Sequence, residues 1–387
     1  MSIDRREFLK LAGMGTAVLV LGPGNLVGAA GGRMNEDFMF VQMSDPHWGF
    51  TDTKVNPDFT GTLKKAIAAI NSMKSQPDFI MFTGDLTHNT DDPKDRRKRM
   101  SEFREIIKDL KVKNIRLMPG EHDASLDKGE IFKEIFGETH YSFQHKGVNF
   151  IVLDNVSDPA TVIGDEQLQW FGSELKKFDK EDRLVVFTHR PLFDLLPQWD
   201  WWTRDGSKAI ELLMPYKNVT VLYGHIHQEH HHMTSHIQHH AANGLMYPLP
   251  APNSVPKKAP VAWDPAAPYK NLGYRSVDAK VSNAALVLNE YPIKAAQERV
   301  VKITARRFEY SPREIRLKKG EPVVFELTTL DRMHGFNSTD FGIRADIKPG
   351  ETTRVRLVPD KTGTFTFFCD IYCGEGHEEM SGQLIVE

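Results

Sequence analysis

The sequence predicts an α/β layered core followed by a small all-β sandwich. Short runs rich in β-branched and aromatic residues recur from Phe38 onward, and each leads into a turn carrying a carboxylate or histidine. Helical patterns separate these runs, at 63–73, 100–110 and 165–178, which implies strands and helices in layers. From residue 300 the pattern changes to short strand-like runs divided by glycine- and proline-containing turns.

With 387 residues the chain is long enough for two domains, each with its own core. At 40% hydrophobic and 26% charged it has the composition of a soluble globular protein. The net charge of −3 lacks the basic footprint of a protein that tracks phosphate backbones, so no nucleic-acid partner is expected. Sixteen histidines against two cysteines point to metal chemistry more than to a disulfide scaffold.

Residues 1–30 read as a targeting segment. Arg5-Arg6 precedes Phe8-Leu9-Lys10, an apolar stretch runs to Leu21, and the small residues Gly28-Ala29-Ala30 suit a signal peptidase. This resembles a twin-arginine export signal. The apolar run falls short of the roughly 20 residues that span a bilayer, so a cleaved signal and a periplasmic protein with no remaining membrane segment are expected.

The strand-like runs end, in order, at Asp45-Pro46-His47, Gly84-Asp85, Gly120-Glu121-His122-Asp123, His189 and Gly224-His225-Ile226-His227. A single aspartate or histidine at a strand end is most often a cap or turn residue. Five such turns point instead to one shared site beyond the carboxyl ends of the strands, with glycines letting backbone approach it closely.

As an ordered set these turns resemble the calcineurin-like metallophosphoesterases across about residues 36–295. The resemblance implies a four-layer α/β/β/α sandwich with two divalent metals, Fe, Mn or Zn. It places Asp45, His47 and His227 on the first metal and His189 and His225 on the second, with Asp85 bridging. It further implies that two cations roughly 3.5–4 Å apart activate a bridging water for in-line attack on phosphorus. His122 would stabilise the transition state or protonate the leaving oxygen, with Asp123 orienting it. One departure stands out, because Glu121 occupies the family's usual asparagine position. It can still ligate the second metal, but it adds negative charge where an anionic substrate approaches.

Weaker signals surround this set. His88 reads either as a contact to substrate phosphate or as a loop histidine. His230, His231, His232, His236, His239 and His240 form a histidine-rich tract that reads as a surface loop, as partners of the metal ligands, or as an extra metal site. Trp199, Trp201 and Trp202 either wall a substrate pocket or pack beneath a loop. Residues 91–99 read as a solvated helix start. The stretch 247–295, proline-rich in its first part, reads as a wrap around the first domain or a linker.

The C-terminal segment 300–387 holds Cys369, Cys373, His377 and Met380, with His334 upstream. A mononuclear blue-copper site uses one Cys, two His and a weak axial Met. A second thiolate in the same loop lets two sulfurs bridge two coppers, each with its own imidazole, and Met380 serves one of them. The spacing resembles the CuA cupredoxin domain of cytochrome c oxidase subunit II and of nitrous oxide reductase. That resemblance implies the backbone carbonyl of Ile371 as the remaining weak ligand. A disulfide would explain neither histidine nor the methionine.

These readings together lead to an expected periplasmic phosphoesterase, with phosphomonoester or diester substrate open, carrying a CuA electron-transfer or redox-sensing domain. A periplasmic electron donor or acceptor such as a c-type cytochrome is the expected partner. The alternative is a redox or copper-sensing protein in which Glu121 marks the loss of hydrolysis.

Overall fold

The computed structural model describes residues 36–294 and 299–387, and the expected export signal lies outside them. The chain divides into two compact units after Ile293. Among the described residues no helix is long and apolar enough to cross a membrane.

The first unit begins with β1 (Phe38–Met43), α1 (Thr62–Asn71), β2 (Phe79–Thr83), α2 (Pro93–Ile107) and β3 (Ile115–Met118). Two short helices follow, α3 (Glu121–Ala124) and α4 (Glu130–Phe136), then the hairpin β4 (Tyr141–His145) and β5 (Val148–Val152). The chain continues through α5 (Asp165–Leu175), β6 (Arg183–Phe187), α6 (Gly206–Leu213) and β7 (Asn218–Tyr223). It closes with β8 (His230–Thr234), β9 (Ile237–Ala241), β10 (Gly273–Lys280) and β11 (Asn283–Pro292).

Two sheets result, ordered β11-β10-β1-β2-β3 and β4-β5-β6-β7-β9-β8. Side chains alternate across each strand, and the alternation builds four layers. Phe40, Phe79, Met81, Phe150, Val185, Phe187 and Leu222 fill the space between the sheets. Val41, Ile80 and Phe82 turn outward onto Leu63, Ile67 and Ile70 of α1 and Phe103 of α2. On the other side Ile151, Val186 and Val221 meet Phe171 of α5 and Leu213 of α6. Helix α2 starts where the charge run suggested, with the Asp92 side chain accepting from the Lys94 amide and Pro93 in the first turn.

Parallel register brings the strand ends level. Met43 pairs with Phe82, Thr83 with Met118, and Phe187 with Leu222. The turns that follow these strands therefore emerge side by side.

Two readings need correction. Residues 273–292 are neither wrap nor linker: β10 pairs antiparallel with β1 and β11 with β10, extending the first sheet. Val277 and Ala279 are fully buried between the sheets, which is why this segment forms strand. The histidine tract is not a loop but the edge hairpin β8–β9. Trp199 and Trp201 pack edge to face at 5.1 Å in a core with Tyr223 and Ile226.

The second unit is all-β. Its strands are β12 (Arg299–Arg306), β13 (Glu309–Ser311), β14 (Glu314–Leu317), β15 (Val323–Thr329), β16 (His334–Ser338), β17 (Ile343–Ile347), β18 (Thr353–Leu357), β19 (Gly363–Phe368) and β20 (Ser381–Val386). They form sheets β13-β12-β15-β18 and β14-β20-β19-β16-β17. Phe325, Phe336, Phe367 and Leu384 lie in the core of this unit together with Cys369, Cys373 and Met380.

Candidate metal centres

The strand-end turns of the first unit converge. Ligand atoms of Asp45, His47, Asp85 and His227 gather in one group, and those of Glu121, His189 and His225 in a second, each within 4.8 Å. Asp85 Oδ2 lies between them, 3.4 Å from His47 Nε2 and 3.5 Å from His189 Nε2. Asp45, His47, Asp85, His225 and His227 all have positive φ, from 41° to 65°. Non-glycine residues adopt this region at a cost, so five together mark side chains aimed by the surrounding fold. Close packing of the turns requires glycine: a Cβ on Gly120 would stand 2.1 Å from the Asp85 amide.

Three imidazoles are oriented by backbone carbonyls. His189 Nδ1 lies 2.7 Å from Thr83 O, His227 Nδ1 2.7 Å from Tyr247 O, and His225 Nε2 2.8 Å from Asp200 O. The remaining nitrogen of each ring then points its lone pair into the cluster, as a metal ligand does. His189 Nε2 is buried and makes no well-aligned hydrogen bond, although Glu121 Oε2 is only 2.8 Å away. A ring nitrogen and a carboxylate 2.8 Å apart with no well-aligned hydrogen bond between them fit a shared cation.

The electrostatics agree. Burial holds the His47 imidazole well below its usual value, and it pushes His225 down too. Burial opposes protonation of His189 and His227 as well, but Asp85 and Glu121 outweigh it at the first and Asp45 at the second, raising both. Burial would likewise raise Glu121, yet His225, Arg190 and His189 keep it ionised well below the ordinary range. Arg190 Nη2 stands 3.8 Å from Glu121 Oε2. These donors suit two hard or borderline cations.

His122 flanks the cluster, its Nε2 3.9 Å from Asp85 Oδ2 and its side chain 22% exposed. Asp123 does not orient it. The Asp123 carboxylate accepts from the amides of Gly120, Leu86 and Thr87 and from the Thr87 hydroxyl, at 2.8–2.9 Å. Burial and the nearby Asp85 charge push Asp123 up to about 7. The partner of His122 Nδ1 is Asn89 Oδ1, at 3.1 Å. His88 stacks on the His122 ring at 4.9 Å, and its Nδ1 lies 3.4 Å from His47 Nδ1.

Asn89, Arg190, Asp200 and Tyr247 were not singled out from sequence. Arg190 alone had a local signal, as the residue following a ligand. The ring of Tyr247 also stacks on His47 and His227. None of the six tract histidines joins either ligand group.

The second unit gathers its own set. Both cysteines are buried and free. Cys369 Sγ lies 3.9 Å from His334 Nδ1 and 3.2 Å from Ile371 O. Cys373 Sγ lies 3.6 Å from His377 Nδ1 and 3.9 Å from Met380 Sδ. Each sulfur thus has its own imidazole and one further weak donor. Asp331 Oδ1 holds the far nitrogen of His334 at 2.8 Å. Burial and the neighbouring Cys369 push the Cys373 thiol up to about 11, a penalty that a soft cation between the sulfurs would relieve.

Residues 38–229 match the calcineurin-like phosphoesterase family, and residues 281–386 match the cupredoxin-like domain. Over 87 residues, 22% of this chain and 64% of the relative, the chain is 34% identical to a cytochrome c oxidase subunit 2 of Thermus thermophilus. It is 40% identical over 91 residues to a nitrous-oxide reductase of Cupriavidus necator, covering 22% of this chain and 14% of that protein. A probable glycerophosphodiester phosphodiesterase of Arcobacter nitrofigilis is 27% identical over 209 residues, covering 49% of this chain and 71% of that one. The chain spans less than two thirds of the length of the first two relatives.

Proposed function

Taking the chain as a calcineurin-like phosphoesterase domain joined to a cupredoxin-like domain, we propose that it is an exported, metal-dependent hydrolase of phosphoric esters. The copper domain serves electron transfer or redox sensing. The observation that carries the reading is the position of Asp85 between two ligand groups, within 3.5 Å of an imidazole from each. Asp45, His47 and His227 would hold one cation and Glu121, His189 and His225 the other, with Asp85 placed to serve both.

Two divalent cations of the Fe, Mn or Zn kind, when bound, supply Lewis-acid polarisation of a phosphoryl group and activation of water. The protein's own groups supply the rest. His122, partly exposed beside Asp85, donates a proton to the leaving oxygen, and Asn89 fixes its ring. His88, stacked against it, meets a substrate oxygen from the same side.

Glu121 is compatible with hydrolysis. Three carboxylates against two divalent cations leave one net positive charge, and Arg190, 3.8 Å from Glu121, is itself paired with Asp200 at 2.5 Å. The two cations therefore still outweigh the three carboxylates that an anionic ester meets, which favours hydrolysis over the purely redox reading.

Cys369, Cys373, His334, His377, Met380 and the Ile371 carbonyl would hold a copper pair, which would supply one-electron transfer. The Arg5-Arg6 segment supports export to the periplasm, where a c-type cytochrome is a suitable electron partner. The test of the combined reading is hydrolysis of an activated phosphodiester and a monoester, first with copper oxidised and then reduced. Turnover in both states at equal rate leaves the copper domain an independent carrier, and a rate that follows the copper state makes it a regulator. Absence of turnover by fully metallated protein overturns the hydrolase reading.

A further inference from the structure

The edge hairpin presents two imidazoles whose outward nitrogens are already engaged. His231 on β8 lies directly opposite His240 on β9. Their Nδ1 atoms are 2.6 Å apart. On the far sides, His231 Nε2 lies 3.0 Å from Glu229 Oε1, and His240 Nε2 lies 3.3 Å from Gln238 Oε1.

A carboxylate only accepts, so the proton of His231 belongs on Nε2. The Gln238 oxygen beside its Nε2 favours the same tautomer for His240. In those tautomers the two Nδ1 lone pairs point at one another, and a cation between them relieves the repulsion. Burial and the neighbouring His231 push His240 down to about 4, so that its own ring is neutral at pH 7 and its lone pair is open to a metal.

We propose that His231 and His240 form a further metal site that takes a first-row divalent ion such as Zn(II) or Cu(II), with water completing its shell. Imidazole nitrogens suit both ions. Zn–N bonds of about 2.0–2.1 Å at a tetrahedral angle set the two nitrogens about 3.3 Å apart. The rings need to open by less than about 1 Å from their present separation, and the His231 side chain, 51% exposed, is free to do so. Glu229 behind His231, at 3.0 Å, fixes its tautomer, as carboxylates do behind metal-bound histidines. The site is separate from both ligand groups described above, and His231 and His240 belong to neither.

The test is calorimetric titration of Zn(II) into full-length protein whose dinuclear site already holds zinc and whose thiolate site already holds copper, with elemental analysis of the product. One additional equivalent per chain is expected. His231→Ala and His240→Ala should each weaken it at least about tenfold, as loss of one of two imidazoles requires. The double variant should not bind it, and phosphoester hydrolysis should be unchanged in all three. If no additional equivalent binds, or if the double variant binds it as well as the parent, the pair is merely one ring donating to the other and the proposal fails.

Discussion

Asp123 grips Thr87 twice, its Oδ1 accepting the backbone amide at 2.8 Å and the hydroxyl at 2.9 Å. Its other oxygen takes the amides of Leu86 and Gly120. One buried carboxylate therefore buckles the loop after Asp85 to the loop that carries Glu121 and His122. Asp123→Ala leaves three buried amides without acceptors and should cost about 2–3 kcal/mol of stability, read by denaturant unfolding of the metal-free protein. Hydrolysis should fall with it, because His122 and Glu121 lose their common support.

Glu121 is expected to act as a ligand. Glu121→Ala should lower affinity for the second cation by more than about tenfold, read as the metal-to-protein ratio after dialysis. Metal content and turnover equal to the parent would remove Glu121 from the ligand set. Arg190→Ala removes positive charge from the same place and should raise KM more than it lowers kcat.

In the copper domain, two copper ions per chain are expected by elemental analysis. Cys373→Ser should leave one or none, since it removes a shared sulfur.

Asp331 stands behind His334 at 2.8 Å, where it would complete a carboxylate–histidine–metal series with a bound copper. Asp331→Asn should weaken copper binding about 10- to 100-fold without changing the stoichiometry at saturating copper. Competition with a copper chelator measures it.

A pH effect is expected at the link between the two sheets of the first unit. Asp78, just before β2, meets Lys146 of the β4–β5 turn at 2.7 Å and His145 at the end of β4 at 3.0 Å. Burial opposes ionisation, yet Lys146 and His145 hold Asp78 below its ordinary value. A depressed folded-state value means the stabilisation is fully present above about pH 4 and is lost as pH falls through the lower value. Asp78→Asn should therefore cost less than about 1 kcal/mol at pH 7. The gap from the parent should close progressively in acid.

The clustering of the strand-end residues was legible because each follows an apolar run, and parallel register carries the strand ends to the same edge. Cys369, Cys373, His377 and Met380 were legible because one loop holds them at short spacing. Tyr247 and Asn89 were not. Their contacts, a carbonyl on His227 and an amide oxygen on His122, cross the fold and leave no local pattern. Asp123 was misread because proximity in sequence suggested a contact with His122, while its helical position turns the carboxylate back toward Leu86 and Thr87. Strands β8 and β9 escaped notice because histidines replace the apolar alternation that marks a strand, and β10 because arginine, serine and aspartate interrupt it.

The most direct measurement is turnover of a phosphomonoester and a phosphodiester by metal-loaded parent protein and by Asp85→Ala under the same conditions. Loss of at least about 100-fold in rate together with loss of bound metal is expected, because one carboxylate serves both cations. Undiminished hydrolysis by the metal-loaded variant would contradict a shared dinuclear centre at Asp85.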